Sequence, residues 1–323
     1  YCMKKIILVT GCAGFIGYHI ALRLLKKKYI VIGIDNINNY YSRKLKIDRI
    51  NNIRKFCSSN KRKFIFFKLD LNNKNKLENI LKKYKPSKII HLAAQAGVRY
   101  SLIYPEQYLK NNINCFFNIL ECCRKFKIGS LIFASSSSVY GNLNKKRFSE
   151  KDSTDFPIQF YAATKKSNEV MAHSYSHIYK LPCTGVRFFT VYGPLGRPDM
   201  ALYKFTNNII KNKSVELYNN GNHLRDFTYI DDIVDGVFSL IKKYPKKSVP
   251  YDIYNIGNGS PKKILEYLKH IEKNLKRNSK IKKLPLQPGD IIKTHSDIKK
   301  LKDSTGYKPK TNINIGIRKL IDW

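Results

Sequence analysis

The sequence predicts an α/β protein built around a doubly wound parallel β-sheet. Short apolar runs of four to six residues alternate with amphipathic segments of helix length, which is the pattern of successive β-α-β units. The apolar runs are uninterrupted, as in parallel strands that helices cover on both faces. A glycine-rich segment links the first apolar run to the first amphipathic segment. The predicted elements are Ile6–Thr10, Tyr18–Lys28, Ile30–Asp35, Phe64–Leu69, Leu77–Tyr84, Lys88–Ala93, Gln107–Phe126 and Ser130–Ser135.

The first β-α-β unit carries the features of a dinucleotide site. Gly11, Gly14 and Gly17 follow Ile6–Thr10 directly and open the first helix. Glycines here let the backbone turn tightly and approach a pyrophosphate, which rests on the unpaired N–H groups of the helix N-terminus. The second run ends in Asp35, where a carboxylate accepts hydrogen bonds from the adenosine ribose and repels a 2′-phosphate. This unit therefore predicts bound NAD rather than NADP.

The ends of the next two strands extend the same cleft. Asp70 follows the third run, where a polar side chain can meet the adenine amino group. Small residues follow His91 at the end of the fourth run and suit close approach of a cofactor. We assign no chemistry to His91, because a single histidine there is more often a hydrogen-bonded core residue. Further expected cofactor contacts are Phe15, Ile16, Asn36, Leu71, Leu92, Ala93 and Ala94.

The fifth strand and a later helix predict the chemical site. The strand ends in the serines Ser135–Ser138, and the helical segment carries Tyr161 and Lys165. These two residues are i and i+4 neighbours, so the ammonium lies on the tyrosine's face of the helix. Positive charge from Lys165 and from a nicotinamide ring would stabilise the ionised phenol, whose ordinary pKa is about 10. Tyr161 can then act as a base while a serine hydroxyl positions the substrate hydroxyl, and both Tyr161 and Lys165 are expected to contact the cofactor.

The second half of the chain is less regular. After about residue 190 the strand and helix pattern is interrupted by loops rich in glycine and proline. We expect residues 3–186 to form mainly the NAD-binding domain and residues 187–323 mainly a smaller mixed α/β substrate-binding region, with segments that interleave. The 323 residues suffice for both, since single cores rarely grow beyond roughly 250–300 residues.

Composition narrows the class of protein. No apolar run approaches the ~20 residues of a membrane span, and the strand at Ile6 begins too early for a secretory segment, so we expect a cytoplasmic protein without membrane insertion. The seven cysteines include no C-x-x-C pair, which disfavours a disulfide framework and a zinc site. The net charge of +38 comes from lysines spread over the whole chain without a nucleic-acid-binding motif. We therefore expect neither a metal nor nucleic acid as a partner.

Taken together, these motifs resemble those of a known enzyme family. The glycine loop, the serine-rich strand end and the Tyr161/Lys165 pair are similar to those of extended short-chain dehydrogenases/reductases, Rossmann-type enzymes that act on nucleotide sugars. Within that family the chain most resembles UDP-glucuronate 4-epimerases. The stretches that carry this closer resemblance are His91–Ser101, Arg187–Ala201 and Arg225–Asp232.

The resemblance implies roles for the serines. Matched motif to motif, the catalytic serine falls on Ser136, with Ser137 as the second choice. Sugar-nucleotide 4,6-dehydratases carry Thr-Asp-Glu in place of Ser136–Ser138, and UDP-glucuronate decarboxylases tend to carry Glu in place of Ser138. UDP-glucose 4-epimerases usually have Asn in place of Thr190. The hydroxyls of Ser137, Ser138 and Thr190 would bind a charged sugar carboxylate without adding a like charge.

The resemblance also implies an anchor for the nucleotide part of the substrate. Arg225 is the expected diphosphate clamp, whereas Arg197 is expected to serve structure. Further nucleotide-sugar candidates are Arg99, Asn168, Tyr218 and Asp290.

The implied reaction is NAD-dependent conversion of UDP-glucuronate to UDP-galacturonate through a transient 4-keto sugar. A ketone at C4 lies β to the C5 carboxylate, and such a keto acid readily loses carbon dioxide, so the site must hold the carboxylate out of alignment. The alternatives are a 4-epimerase of UDP-glucose or of a UDP-N-acetylhexosamine, a UDP-glucuronate decarboxylase, and a non-catalytic NAD-binding sensor. The intact Ser136, Tyr161 and Lys165 argue against the sensor. The resemblance further implies a homodimer formed through helices at Gln107–Phe126 and Thr164–Lys180.

Overall fold

The computed structural model describes residues 5–243 and 245–323. Tyr1–Lys4 and Tyr244 lie outside the described residues, and so does Met3, with which the predicted NAD-binding domain begins. No helix in the described ranges is long and apolar enough to cross a membrane.

A sheet of seven parallel strands forms the centre of the part of the chain that the structure describes. Its spatial order is β3-β2-β1-β4-β5-β6-β11, so the chain reverses direction across the sheet between β1 and β4. This reversal defines a doubly wound sheet and confirms the predicted Rossmann-type fold. The strands are β1 (Ile6–Thr10), β2 (Ile30–Asp35), β3 (Phe64–Lys68), β4 (Lys88–His91), β5 (Leu131–Ser136), β6 (Cys183–Phe188) and β11 (Tyr251–Ile256).

Helices cover both faces of this sheet. Alternate residues of β1 point to opposite sides, so Ile7 and Val9 belong to one core and Leu8 to the other. The first core takes residues from α1, α2 and α9, and the second takes residues from α3, α6 and α7. The helices of the first 180 residues are α1 (Phe15–Lys26), α2 (Arg43–Asn60), α3 (Lys74–Tyr84), α4 (Tyr100–Ile103), α5 (Pro105–Tyr108), α6 (Cys115–Lys125) and α7 (Phe160–Tyr179). Those that follow are α8 (Ala201–Ile210), α9 (Ile230–Ile241), α10 (Ile264–Leu275), α11 (Lys299–Thr305) and α12 (Ile313–Asp322).

Short strand pairs build the remainder of the second half. β7 pairs with β10, β9 with β12 and β8 with β13. Their bounds are β7 (Thr190–Tyr192), β8 (Val215–Tyr218), β9 (Leu224–Arg225), β10 (Phe227–Tyr229), β12 (Lys262–Lys263) and β13 (Ile281–Leu284). The expected boundary at residues 186 and 187 falls inside β6, and β11 from the second half completes the central sheet.

The segment predicted as one helix at Gln107–Phe126 is interrupted. A π-helical turn, Leu109–Asn114, separates α5 from α6. It directs the buried Asn112 toward the strand end after β4, where its carboxamide accepts a hydrogen bond from Gln95 N at 2.7 Å and donates one to Gln95 O at 3.1 Å. Its Nδ2 also donates to Thr164 Oγ1 on α7 at 3.0 Å. The wider turn is thus stabilised by a side chain that satisfies the backbone of a neighbouring loop.

Candidate active site

A cavity of about 780 Å³ opens at the carboxyl ends of the central strands. This is the position at which doubly wound sheets bind ligands, beside the point where the strand order reverses. One end of the cavity is lined by the glycine loop and the ends of β2, β3 and β4, and the other by residues from β8, β9 and the loop around Asp290. Ser136, Tyr161 and Lys165 line it as well.

The glycine loop leaves no room for side chains. Gly11 has φ +69°, and a Cβ there would lie 2.6 Å from Ala93 N. A Cβ on Gly17 would lie 2.1 Å from Gly11 O, and Gly14 N donates to that same oxygen at 2.9 Å. The loop is therefore a tight cradle at the N-terminus of α1 that only glycine can form. Such a cradle fits the pyrophosphate of a dinucleotide.

Asp35 holds this cradle through its carboxylate. Its Oδ2 accepts a hydrogen bond from Ala13 N at 3.0 Å and its Oδ1 accepts one from Ile37 N at 2.8 Å. Burial raises the pKa of Asp35, and the two backbone N–H groups and nearby Lys46 oppose the rise. Each carboxylate oxygen keeps a further lone pair for a ribose hydroxyl. All the other predicted cofactor residues also line the cavity: Phe15, Ile16, Asn36, Asp70, Leu71, Leu92, Ala93 and Ala94.

Lys165 lies on α7 and is almost fully buried at the edge of the cavity. Its Nζ donates to Ala134 O at the end of β5, at 3.0 Å, and burial lowers its pKa to about 8. The hydrogen bond fixes the ammonium beneath the strand end that carries Ser136.

Tyr161 lies one helical turn before Lys165, half-buried in the cavity. Burial raises its pKa, while the hydroxyl of Ser136 and the positive charge of Arg197 act to lower it. Ser136 itself is fixed, because its Oγ accepts from Ser138 N at 3.2 Å and lies 2.8 Å from Ser138 Oγ. The geometry thus brings the predicted serine, tyrosine and lysine together.

Arg197 forms a cluster with Asp199 and Tyr40 that no sequence motif predicts. Its Nε donates to Asp199 Oδ1 at 3.0 Å, and Tyr40 OH donates to Asp199 Oδ2 at 3.1 Å. All three residues line the cavity, and the charge of Arg197 acts on Tyr161. The expectation that Arg197 serves structure alone is therefore incomplete. Its proximity to Tyr161 depends on Tyr40 and α7, which lie far from it along the chain.

Arg99 contacts two other predicted substrate residues, Asp290 and Tyr218. Arg99 Nη2 donates to Asp290 Oδ2 at 2.9 Å, and its guanidinium lies 4.3 Å from the centre of the Tyr218 ring. Arg225 lies beside them, and its Nη1 donates to Ile292 O at 2.8 Å. Burial lowers the pKa of Arg225 to about 10, against the opposing charge of Asp290. This end of the cavity therefore presents two guanidinium groups, of which that of Arg99 is paired with Asp290, and guanidinium groups suit a diphosphate.

The three hydroxyl-bearing residues predicted for the sugar carboxylate also line the cavity. Ser137 and Ser138 lie in a turn of 3₁₀-helix directly after β5, and Thr190 begins β7. The serines and Thr190 lie close together because β5 pairs with β6. The serines follow the end of β5, and Thr190 follows the last residue of β6 by two positions.

The structure places Asn168, a predicted substrate contact, outside the residues that line the cavity. It is buried on α7. Its Nδ2 donates to Asn112 O in the π-helical turn at 2.8 Å, so its hydrogen-bonding capacity serves the packing of α7 on that turn.

Two further residues of the cavity were not predicted from the sequence. Gln159, at the start of α7, and His223, before β9, are both buried, and each has one polar atom without a partner. Their sequence context gives no motif that would have indicated them. Among the described residues no group of three or more His, Cys, Asp or Glu side chains is arranged to hold a metal ion.

The chain is similar to known proteins over almost its whole length. The family described as GDP-mannose 4,6 dehydratase matches residues 8–320. Protein CapI of Staphylococcus aureus is 48% identical, over 98% of this chain and 97% of the relative. UDP-glucuronate 4-epimerase 1 of Arabidopsis thaliana is 42% identical, over 98% of this chain and 76% of the relative. The crystal structure of UDP-glucuronic acid 4-epimerase from Bacillus cereus with UDP-glucuronic acid and NAD is similar with a TM-score of 0.91, at 33% identity and 98% coverage of both chains.

Proposed function

Since the chain belongs to the GDP-mannose 4,6-dehydratase family of extended short-chain dehydrogenases/reductases, we propose that it is an NAD-dependent UDP-sugar 4-epimerase that converts UDP-glucuronate to UDP-galacturonate. One observation carries the proposal. A single cavity holds Ser136, Tyr161 and Lys165 between a glycine cradle and a cationic end that contains Arg99 and Arg225. The first end fits a dinucleotide and the second fits a nucleoside diphosphate.

Tyr161 and Ser136 handle the proton of the sugar. Ser136 Oγ would hold the C4 hydroxyl while the Tyr161 phenolate takes its proton, and the same phenol returns the proton after the sugar has turned over. The charge of Arg197 and the Ser136 hydroxyl favour the ionised phenol, and burial opposes it. Lys165 keeps positive charge next to this site through its bond to Ala134 O. NAD, when bound, would accept the hydride from C4 and give it back to the sugar, so the two half-reactions together leave no net redox change.

The nucleotide must stay bound while the sugar rotates. Two arginines lie at the cavity end away from the glycine cradle. They are Arg225 and Arg99, and Arg99 pairs with Asp290 and stacks on the Tyr218 ring. Binding energy from this remote part of the substrate retains the 4-keto sugar, which would otherwise diffuse away between the two half-reactions.

The choice of UDP-glucuronate depends on Ser137, Ser138 and Thr190. All three line the cavity and none carries a charge. They can bind the carboxylate and hold it away from the geometry in which a β-keto acid loses carbon dioxide. Two alternatives compete with this proposal. One is 4-epimerisation of UDP-glucose or of a UDP-N-acetylhexosamine, and the other is decarboxylation of UDP-glucuronate.

We further propose a homodimer in the cytoplasm. Large apolar side chains on the helices predicted to pair are exposed, among them Phe117 at 43%, Val170 at 57% and Ile178 at 62%. A second copy of the chain would cover them. The cysteines within the described residues are buried and free, which suits a reducing compartment. Light scattering during size-exclusion chromatography tests the dimer.

Product identification tests the activity. The purified protein with NAD is incubated separately with UDP-glucuronate, UDP-galacturonate, UDP-glucose and UDP-N-acetylglucosamine, and the sugars are identified by NMR and mass spectrometry. We expect the two uronates to interconvert faster than the neutral sugars. Faster conversion of a neutral sugar, or release of a pentose, would contradict the proposed substrate.

A further inference from the structure

Gln159 occupies the N-cap position directly before α7, but its side chain does not cap the helix. Its backbone is extended, with φ −131° and ψ 150°, as at the residue before a helix, yet its side chain accepts no hydrogen bond from the helix N–H groups. The side chain instead turns into the cavity, where it is 3% exposed. It lies two residues before Tyr161.

A neighbouring loop fixes the orientation of the Gln159 carboxamide. Its Nε2 donates to Gly289 O, and because a carbonyl can only accept, the nitrogen must be the atom on that side. Gly289 has φ +76°, and a Cβ there would lie 3.3 Å from Gln159 Cγ, so the loop packs closely on the side chain. The next residue, Asp290, pairs with Arg99.

The oxygen of the same carboxamide is buried and has no partner. Five buried side-chain polar atoms within the described residues lack a hydrogen bond, and Oε1 of Gln159 is one of the two that belong to residues lining the cavity. Leaving such an acceptor unsatisfied is costly, so it indicates a group supplied by a ligand.

The chemistry of an acceptor restricts that ligand group. Phosphate oxygens and an ionised carboxylate also accept and would be repelled, whereas a hydroxyl can donate. Resting on the proposed function, we infer that Gln159 Oε1 accepts a hydrogen bond from a hydroxyl of the bound UDP-sugar and so helps to select the substrate. The hydroxyl belongs to the hexose ring or to the ribose, since Gln159 lies between Tyr161 and the Asp290 loop.

Fluorinated substrates test this contact, because fluorine replaces a hydroxyl without being able to donate. Binding is measured by calorimetry with bound NAD in the Tyr161→Phe background, in which turnover is slow. The ligands are UDP, UDP-glucuronate, and its analogues with fluorine at C2 or C3 of the hexose or at C2 or C3 of the ribose. The measurements are repeated with Gln159→Met, which keeps the length of the side chain and removes both polar atoms.

We expect one analogue to bind about tenfold more weakly than UDP-glucuronate when Gln159 is present, and no more weakly in the Gln159→Met variant. If the hydroxyl is on the hexose, Gln159→Met weakens UDP-glucuronate and leaves UDP unchanged; if it is on the ribose, both weaken equally. Gln107→Met, an exposed change outside the cavity, should change neither affinity.

Two results would overturn the inference. One is that each fluorinated analogue loses the same affinity, relative to UDP-glucuronate, in the parent protein and in the Gln159→Met variant. Gln159 would then be only a structural contact to Gly289. The other is the absence of any penalty in the protein that retains Gln159, which decides the question even if the Gln159→Met variant does not fold. Failure of the parent protein to bind UDP-glucuronate at all would instead contradict the proposed function.

Discussion

The two ends of the cavity are shaped by different parts of the protein, the backbone at the cofactor end and side chains at the substrate end. At the cofactor end the backbone determines the shape, because Gly11 and Gly17 leave no space for a Cβ and Asp35 fixes the loop through N–H groups. At the substrate end side chains determine the shape, because Arg99, Asp290 and Tyr218 hold one another across segments far apart in sequence.

The difference shows what each end can tolerate. A backbone cradle fails when an atom is added, whereas its outward side chains can vary. A site made of interlocking side chains fails when an atom that donates or accepts is removed. Variants at the two ends should therefore separate cofactor binding from substrate recognition, with Tyr161 acting where the ends meet.

Tyr161→Phe should give the largest effect, since it removes the acid/base group and leaves both ends intact. We expect kcat to fall about 10²–10⁴-fold while affinity for NAD and for UDP is kept. Tyr104→Phe, on an exposed tyrosine outside the cavity, is the control. Near-normal turnover of the Tyr161 variant would remove this residue from its assigned role.

Gly17→Ala tests the cofactor end. The added Cβ would lie 2.1 Å from Gly11 O, so the loop must shift, and we expect NAD to bind roughly 10–100-fold more weakly with UDP affinity unchanged. Gly306→Ala is the control for the added methyl group, because a Cβ at Gly306 would have no atom within 4 Å, and φ +73° there makes the change costly to the backbone alone. It should lower stability by about 1 kcal/mol and leave NAD binding unaltered. Unchanged NAD affinity in Gly17→Ala would contradict a backbone-built cradle.

Ser138→Ala combined with Thr190→Ala tests the substrate end. We expect 4-epimerisation of UDP-glucuronate to slow about tenfold and a larger fraction of product to leave as a decarboxylated pentose, because the carboxylate is less constrained. Mass spectrometry of the product mixture measures the fraction, with Ser167→Ala on an exposed face of α7 as the control. A double variant with wild-type rate and product ratio would show that these hydroxyls do not govern the carboxylate.

Lys165→Met should change the pH dependence of stability. Burial lowers the pKa of Lys165 from 10.5 to about 8, so between these values the unfolded chain binds more protons than the folded protein. Stability therefore rises with pH across that window, by about 3 kcal/mol for a shift of this size. In the Lys165→Met variant the free energy of unfolding should rise less with pH. The contribution of Lys46, whose pKa burial also lowers to about 8, should remain. Denaturant unfolding between about pH 8 and pH 10.5 measures the slope, and equal slopes in the two proteins would contradict a buried ammonium.

The cofactor end could be predicted because its determinants are local. Gly11, Gly14 and Gly17 lie within seven consecutive residues. The strand that ends at Asp35 and the strand that ends two residues before Asp70 follow in simple alternation with helices. Each of these positions is fixed by parallel strand pairing, which places successive carboxyl ends at one edge of the sheet.

The substrate end could be predicted only in part. Asn168 shares a helix face with Tyr161 and Lys165 at i, i+4 and i+7, but the π-helical turn covers α7 beyond Lys165 and excludes it from the cavity. Arg197 and Gln159 acquire their positions from Asp199, Tyr40 and Gly289, contacts that depend on how loops meet in space. Sequence periodicity carries no information about such meetings.

The fate of the C4 hydrogen tests the central claim most directly. Purified protein with NAD is given UDP-glucuronate labelled with deuterium at C4 in ordinary water, and the product is examined by NMR. If both cavity ends serve one reaction, with the deuterium removed from C4 and returned to its other face within the closed site, UDP-galacturonate should form with deuterium retained at C4. Product that carries hydrogen at C4, or UDP-glucuronate recovered unchanged, would contradict the account.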